Sequence, residues 1–298
     1  MSGRSTLMVA RIKLAPSAEV GWLTEAGHAI VGNRSALIGV VILLILTVLA
    51  VASPWLMPHD PLLQDVFNSE APASAEFWLG TDQFGRDVLS RLMYGARISL
   101  LLGVCGPIIA ALIGTVIGTT SGYFGGAVDR WIVRATDFMM SFDALLLGVL
   151  MAAALGPSVQ TVIFAIAVAL LPHFIRMARA SCLSIRSEPY VEAAEAMGRS
   201  HTSIILVHVL PNVAGPVIVM STLWAATAIR LEATLSFIGL GAQAPLPSWG
   251  NMIRESLGSM FSSPLPAIAA GVTITIAVLA FNMVGDAVRD VLDPEYRK

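Results

Sequence analysis

The chain has 298 residues, of which 56% are hydrophobic and only 13% charged, and its mean hydropathy is +0.76, which excludes an ordinary soluble domain and points to an integral membrane protein. A formal net charge of −2 argues against a nucleic-acid binder, and the two cysteines, Cys105 in an apolar stretch and Cys182 beside a basic one, form no spaced pair that would support a disulfide framework or a metal motif. Lys13 and Lys298 are the only lysines and neither lies in G-x-x-x-x-G-K-[ST], so the chain lacks a Walker A loop for ATP hydrolysis.

Residues 1–34 form a polar leader carrying Arg4, Arg11, Lys13 and Arg34. The segment 35–57 comes next, with a first span from Ala36 to Met57, near the roughly 20 residues a bilayer core requires. Ala50-Val51-Ala52 has the form of a signal-peptidase site, but leader and apolar run are both long for a cleaved signal, and the stretch is read as a retained span. Residues 58–96 are the longest polar insertion, with turns predicted at Gly80 and Gly85 and then an amphipathic helix leading into the membrane. Within it Gly80, Thr81, Asp82, Gly85, Arg86 and Asp87 are read as an acid–arginine network that pins a loop, in preference to catalytic groups.

Residues 97–284 hold five further spans, Ile98 to Thr119, Trp131 to Leu155, Val159 to Arg176, Val213 to Gly239, and Leu265 to about Val284, so the predicted fold class is an all-α membrane protein with six transmembrane helices. Asp137 and Asp143 fall in the third of the six. A carboxylate inside the membrane is by default a functional candidate. Asp137 lies close enough to the span's end to reach the interface, whereas Asp143 is deeper and is a candidate for lining a water-filled route, the alternative being a structural hydrogen bond to a neighbouring helix. In the fifth span Arg230 and Glu232, two residues apart, fall on different helix faces and are not expected to pair. Trp249, in the loop from Ala242 to Pro264, is expected at the membrane interface, where its amphipathic ring is at home. The tail, 285–298, alternates acids and an arginine before Pro294.

The longest charged and polar interruption of the second half runs from Ser187 to Pro211. It reads as two short helices joined by a turn. Ser187 is placed to cap the first, Pro189 suits a first turn, Gly198 is the residue type that ends a helix in a left-handed conformation, and Ser200 is placed to cap the second, which Pro211 interrupts. Tyr190, Ala193, Ala194 and Met197 fall on one apolar stripe, with Glu188, Glu192 and Glu195 off it. Such a stripe of small residues suits close docking by another protein; a surface helix lying on lipid or on its own bundle is the competing reading.

Orientation is read from the basic residues. With a cytoplasmic start, Arg4, Arg11, Lys13, Arg34, Arg130, Arg134, Arg176, Arg179, Arg186, Arg199, Arg289, Arg297 and Lys298 lie inside, against Arg86, Arg91, Arg97 and Arg254 outside. Both termini and the Glu192 helix are thereby expected in the cytoplasm.

The motifs carry a resemblance. Glu192-Ala193-Ala194, Gly198, Leu210 and Pro211 stand at the spacing of the EAA motif of the permease subunits of bacterial ABC importers, with His208 where the generic motif has isoleucine. The run from Leu79 to Arg91, L-G-T-D-x-x-G-R-D-V-L-S-R, together with Gly122-Tyr123-Phe124-Gly125-Gly126-x-x-Asp129-Arg130, the stretch from Glu232 to Gly241 and the tail G-D-x-x-R-D-x-L-D-P, is similar to C-type subunits of dipeptide, oligopeptide and nickel importers. The resemblance covers residues from about 33 to 298. It implies a type I importer permease fold in a bacterial inner membrane, with no cofactor in this chain. ATP and Mg would belong to two partner ATPases, with a homologous second permease and an extracytoplasmic substrate-binding protein completing the assembly. Tyr190, Glu192, Ala193, Ala194, Met197, Gly198, Leu210 and Pro211 would couple to the ATPases, and peptides are favoured over nickel complexes as substrate.

Two rival readings compete. A stand-alone secondary transporter or channel could use Asp143, Arg230 and Glu232 for ion coupling, but no inverted repeat is evident. An intramembrane serine hydrolase could be built from Ser121 and His173, which equally suit kinked, hydrated helix ends.

Overall fold

In the computed structural model residues 33–292 are described, without the side chains of 291 and 292. Residues 1–32 of the leader, and the part of the tail that contains Asp293 and Pro294, lie outside them. The helices are α1 (Arg34–Leu56), α2 (Val88–Phe124), α3 (Gly126–Met140), α4 (Ala144–Leu155), α5 (Val159–Arg186), α6 (Pro189–Ala196), α7 (His201–Ile204), α8 (Leu210–Phe237), α9 (Trp249–Glu255) and α10 (Leu265–Leu292). Among the described residues, five uninterrupted helical runs are long and apolar enough to cross a membrane: α1, α2, α5, His201–Phe237 and α10. The pair α3 and α4 makes a sixth crossing if the two count as one span.

That pair departs from the predicted third span, Trp131 to Leu155. The two helices meet at a bend of 89°. The cause is local: the Asp143 carboxylate accepts hydrogen bonds from the backbone N–H groups of Leu145 at 2.9 Å and Leu146 at 3.4 Å, so the chain restarts a helix there with Asp143 as its N-cap. Asp143 therefore stands at a break and not deep within a continuous helix.

Other boundaries differ from expectation as well. The amphipathic helix expected before the second span and the span itself are one helix, the 37-residue α2, started by the Asp87 carboxylate accepting from the Ser90 N–H at 2.9 Å. The fourth span runs ten residues beyond Arg176, to Arg186.

The bundle is organised on the contact between α2 and α5. Gly106, Ala110, Gly114, Gly118 and Gly122 recur every fourth residue along α2 and form a ridge with no side chain larger than a methyl. A Cβ at Gly114 would lie 2.6 Å from the Phe174 Cβ, and one at Gly118 would lie 2.8 Å from the Ala178 Cβ and 3.0 Å from the Arg179 backbone nitrogen. At Gly122 it would lie 2.9 Å from both the Arg179 carbonyl oxygen and the Cys182 Cβ. The backbones approach this closely only because the ridge is small, which is how helices associate where lipid leaves no hydrophobic drive between them. Around this seam the fully buried Leu102, Ile166, Leu170, Phe174, Ile204 and Leu235 form the main core, so α8 closes over the α2–α5 pair. A second cluster, with Val88, Ile229, Trp249, Ala270 and Ala277, joins α1, α9 and α10 to α2 and α8.

Overfilling the ridge tests this packing. Gly118→Leu is expected to destabilise the chain by about 2 kcal/mol, typical of forcing extra methylenes into a packed interior. Gly271→Ala, where a Cβ would meet nothing within 4 Å, should be neutral or slightly stabilising. Thermal unfolding of both variants in detergent checks the contrast.

Candidate functional site

The segment between α5 and α8 is built as a folded knob. Ser187 does not cap it: its hydroxyl donates back to the Ser184 carbonyl at 2.8 Å and closes α5, while Glu188 is the N-cap residue and Pro189 opens α6. Pro189 suits that position because the first helical N–H has no intrahelical acceptor. Gly198 ends α6 with φ +76°, the Arg199 N–H bonding the Ala194 carbonyl at 3.2 Å and the Gly198 N–H bonding the Glu195 carbonyl at 2.9 Å. Ser200 then caps α7, accepting from the Ser203 N–H at 3.4 Å.

Pro211 does not interrupt the helix that Ser200 starts. Residues Ile205–Val209 form a π-helical turn, and the helix runs through Pro211 into α8. A proline offers no N–H and its ring crowds the carbonyl four residues back; widening the preceding turn accommodates both. The second short helix and the fifth span are thus mechanically continuous from His201 to Phe237.

The predicted apolar stripe of α6 divides. Ala194 is buried and, with fully buried Val191, seats the helix on its own bundle. Tyr190, Glu192, Ala193, Met197 and Gly198 are exposed, Met197 at 74% of its area. Exposed Met197 and small Ala193 leave one face of the knob open to a partner, while Tyr190 leans toward His208, with ring centroids 6.1 Å apart, and Leu210 and Pro211 begin α8 behind it. Below the knob, Asp129 of α3 accepts from the Ser121 hydroxyl at 2.6 Å and from Arg179 Nε and Nη2 at 2.5 and 2.7 Å, and Asp137 pairs with Arg176 at 2.6 Å. These ion pairs fasten α3 to α5. Ser121 is thereby committed to Asp129, and His173 packs its ring 4.3 Å from that of Trp224; no hydrogen bond joins Ser121 to His173 as a hydrolase would need.

At the opposite end of the bundle the predicted loop network is present and larger than expected. Gly80 and Gly85 turn with φ +69° and +72°, and a Cβ at Gly85 would overlap the Asp65 carbonyl. Thr81 and Asp87 pair as an isolated bridge, and the Thr81 hydroxyl donates to the Asn68 carbonyl. Asp82 accepts from the N–H groups of Phe84 at 2.9 Å and Arg86 at 3.0 Å and from Arg86 Nε at 2.7 Å, and lies 3.2 Å from Arg91 Nη1. Glu255 of α9 completes it, bound by Arg86 at 2.5 Å and Arg91 at 2.8 Å. Sequence reasoning passed over Glu255, although it is the lone acid between Ala242 and Pro264, facing a segment rich in arginine.

Trp249 is not a membrane anchor. It is fully buried, its backbone N–H donating to Ser99 Oγ at 3.2 Å and its Nε1–H to the Leu92 carbonyl at 3.2 Å, because α9 folds back against the start of α2. Glu232, also fully buried, accepts from the Ser236 hydroxyl at 2.7 Å. Arg230 is exposed and donates to Thr227 Oγ1 at 3.0 Å, so the two do not pair, as their spacing implied. No hydrogen bond or ion pair joins any two of Asp143, Arg230 and Glu232. Alongside α8 an apolar groove of about 610 Å³ opens against α2, lined by Ile108, Leu112, Val217, Ile218 and Phe281, with Ser221 and Thr222 at its polar points.

Comparison with known proteins gives consistent findings. Residues 114–298 match the family model described as binding-protein-dependent transport system inner membrane component, and residues 22–72 match the N-terminal TM domain of oligopeptide transport permease C. The dipeptide transport system permease protein DppC of Alkalihalophilus pseudofirmus is 40% identical over 92% of this chain and 90% of its own length. The probable D,D-dipeptide transport system permease protein DdpC of Escherichia coli is 38% identical over 89% of each chain, and the glutathione transport system permease protein GsiD of Pectobacterium atrosepticum is 37% identical over 85% of each. A solved structure of inward facing conformations of the MetNI methionine ABC transporter shares the fold, with a TM-score of 0.56 and 20% identity over 69% of this chain and 97% of the other.

The ion network at the 58–96 end should be sensitive to loss of one carboxylate. The Asp82 and Arg86 side chains are 10% and 6% exposed and that of Arg91 is 1% exposed, so Asp82→Asn leaves buried guanidinium charge short of a partner. The expected cost is about 3 kcal/mol, read as a lower unfolding temperature and faster proteolysis of the 58–87 segment.

Proposed function

Because the chain belongs to the family of inner membrane components of binding-protein-dependent transport systems, we propose that it is one of two permeases forming the path of an ATP-driven importer of peptides. Peptides are chosen because relatives at 37–40% identity over most of the chain bear the names of dipeptide and glutathione permeases. The homologous second permease packs on the apolar groove between α2 and α8, two cytosolic ATPases grip the 187–211 knob, and a binding protein delivers substrate at the 58–96 end. Both termini and the knob are cytoplasmic, in keeping with the distribution of arginines. The chain holds no cofactor; ATP and Mg are bound by the ATPases.

One observation carries the coupling reading: the face of α6 bearing Tyr190, Ala193, Met197 and Gly198 is exposed, while its reverse, Val191 and Ala194, is seated on the bundle. A knob so mounted passes on a push. Closure of the ATPases displaces α6, and the helix continuous from His201 to Phe237 carries the displacement along the path side of the bundle. The two access states can be driven apart only by the difference in energy with which the ATPases hold them.

A stand-alone secondary transporter is disfavoured by the separation of its supposed coupling residues: Asp143 caps a helix, Glu232 is enclosed among serines, and Arg230 faces outward.

Ala193→Glu, which places bulk on the exposed face, and Gly198→Trp, which also strains the left-handed end of α6, are each expected to lower uptake about tenfold or more while the chain still reaches the membrane. Transport unchanged in both variants would contradict the docking assignment. The purified chain, free of partner subunits, should hydrolyse no ATP; turnover in such a preparation would contradict the division of labour.

A further inference from the structure

The motif Gly122-Tyr123-Phe124-Gly125-Gly126-x-x-Asp129-Arg130 does more than turn the chain. Its tyrosine is 2% exposed, at the last turn of α2, yet its hydroxyl reaches out of that helix. It lies 2.9 Å from Nδ1 of His201 on α7 and 3.3 Å from Oε1 of Glu195 on α6. A phenol has one proton and a carboxylate can only accept, so the consistent arrangement is a chain in which His201 Nδ1–H donates to Tyr123 Oη and the Tyr123 hydroxyl donates to Glu195. Phe124 packs edge-on to both rings, with centroids 5.3 Å from Tyr123 and 6.2 Å from His201, and the Arg186 guanidinium at the end of α5 sits 5.5 Å from the Tyr123 ring centroid.

Four helices thus converge on one phenol. Among the described residues, these are the only hydrogen bonds between α2 and the 187–211 segment. The flanking parts of the motif hold the phenol in place: Gly122 lets α2 close on α5, Gly125 and Gly126 turn with φ +64° and +60°, and Asp129 locks onto Arg179. A phenylalanine would fill the same space, so what the tyrosine adds is the pair of bonds to the knob.

We propose that Tyr123 is a positioning residue for energy coupling: its hydroxyl clamps α2 to α6 and α7, so that displacement of the knob moves α2 together with α5 and α8, the two helices the knob joins covalently. The proposal rests on the reading of the 187–211 segment as the ATPase-coupling element. Its consequence is that the α2–α5 seam and the path-side face of α8 move as one body, where a hinge at the knob would otherwise let the ATPases cycle without moving α2.

The test uses the full assembly, both permeases, both ATPases and the binding protein, reconstituted in proteoliposomes, with uptake of a mixture of labelled di- and tripeptides and ATP hydrolysis measured on the same preparation. Tyr123→Phe is expected to keep ATP hydrolysis within about twofold while uptake per ATP falls about fivefold or more, since it removes both bonds and one net hydrogen bond alone supports about that factor. His201→Ala removes one of the two bonds and leaves the one to Glu195, so it should lower the ratio less, and the double variant should fall no further than Tyr123→Phe does alone. An unchanged ratio of uptake to hydrolysis in Tyr123→Phe would overturn the proposal, whether both activities stay intact or both decline together as a structural defect would make them. Additive losses in the double variant would overturn it as well. Absence of ATP-dependent uptake in the unmodified assembly would overturn the functional reading, and the clamp with it.

Discussion

Close approach of two helix backbones is the constraint on which this structure depends. Along α2 the ridge Gly106, Ala110, Gly114, Gly118, Gly122 admits α5 so closely that its glycines leave no room even for a methyl. Because α2 is long, it reaches from the ion network beside Asp87 to the knob beside Tyr123, with the seam against α5 running along its second half, from Gly106 to Gly122. A bundle held by bulky interdigitated side chains could repack locally; one held by close backbone contact over several turns transmits displacement with little give.

The two ends are then fixed by different chemistry. At the 58–96 end an irregular segment gains its shape from Asp82, Arg86, Arg91 and Glu255, charges paired with one another. Desolvation makes such a cluster costly unless every member is paired, so its worth lies in specifying one arrangement of α9 against α2. At the other end the knob is secured by burial of Val191 and Ala194 and by continuity into α8, leaving the opposite face open. The π-helical turn at Ile205–Val209 is what reconciles Pro211 with that continuity.

Hydropathy made the long spans legible, because crossing a bilayer requires an uninterrupted apolar run whatever the neighbours do. Gly198 and Ser200 were legible for a related reason: a left-handed helix end and an N-cap are decided by the residue itself. What was missed depended on competition or on distance in sequence. Apolar composition continues straight through Asp143, yet its carboxylate bonds the N–H groups of Leu145 and Leu146 and breaks the span. Trp249 reads as an interfacial ring until α9 folds back and presents Ser99 and the Leu92 carbonyl to it, partners some 150 residues away. The split of the α6 stripe, with Ala194 inward and Ala193 outward, needed the bundle beneath it. The period-four ridge of α2 was present in the letters but hidden by a hydropathy scale that counts glycine as neutral.

The central claim, that the outward face of α6 is the surface cytosolic ATPases hold, is tested most directly by chemical protection. Met197→Cys would be treated in native membranes with a membrane-impermeant maleimide from the cytoplasmic side, with and without the ATPase subunits co-expressed, against the background of Cys105 and Cys182 in the unmodified chain. The account predicts rapid labelling at that position in the permeases alone and strong protection when the ATPases are present. Equal labelling in both, or none in the permeases alone, would contradict it.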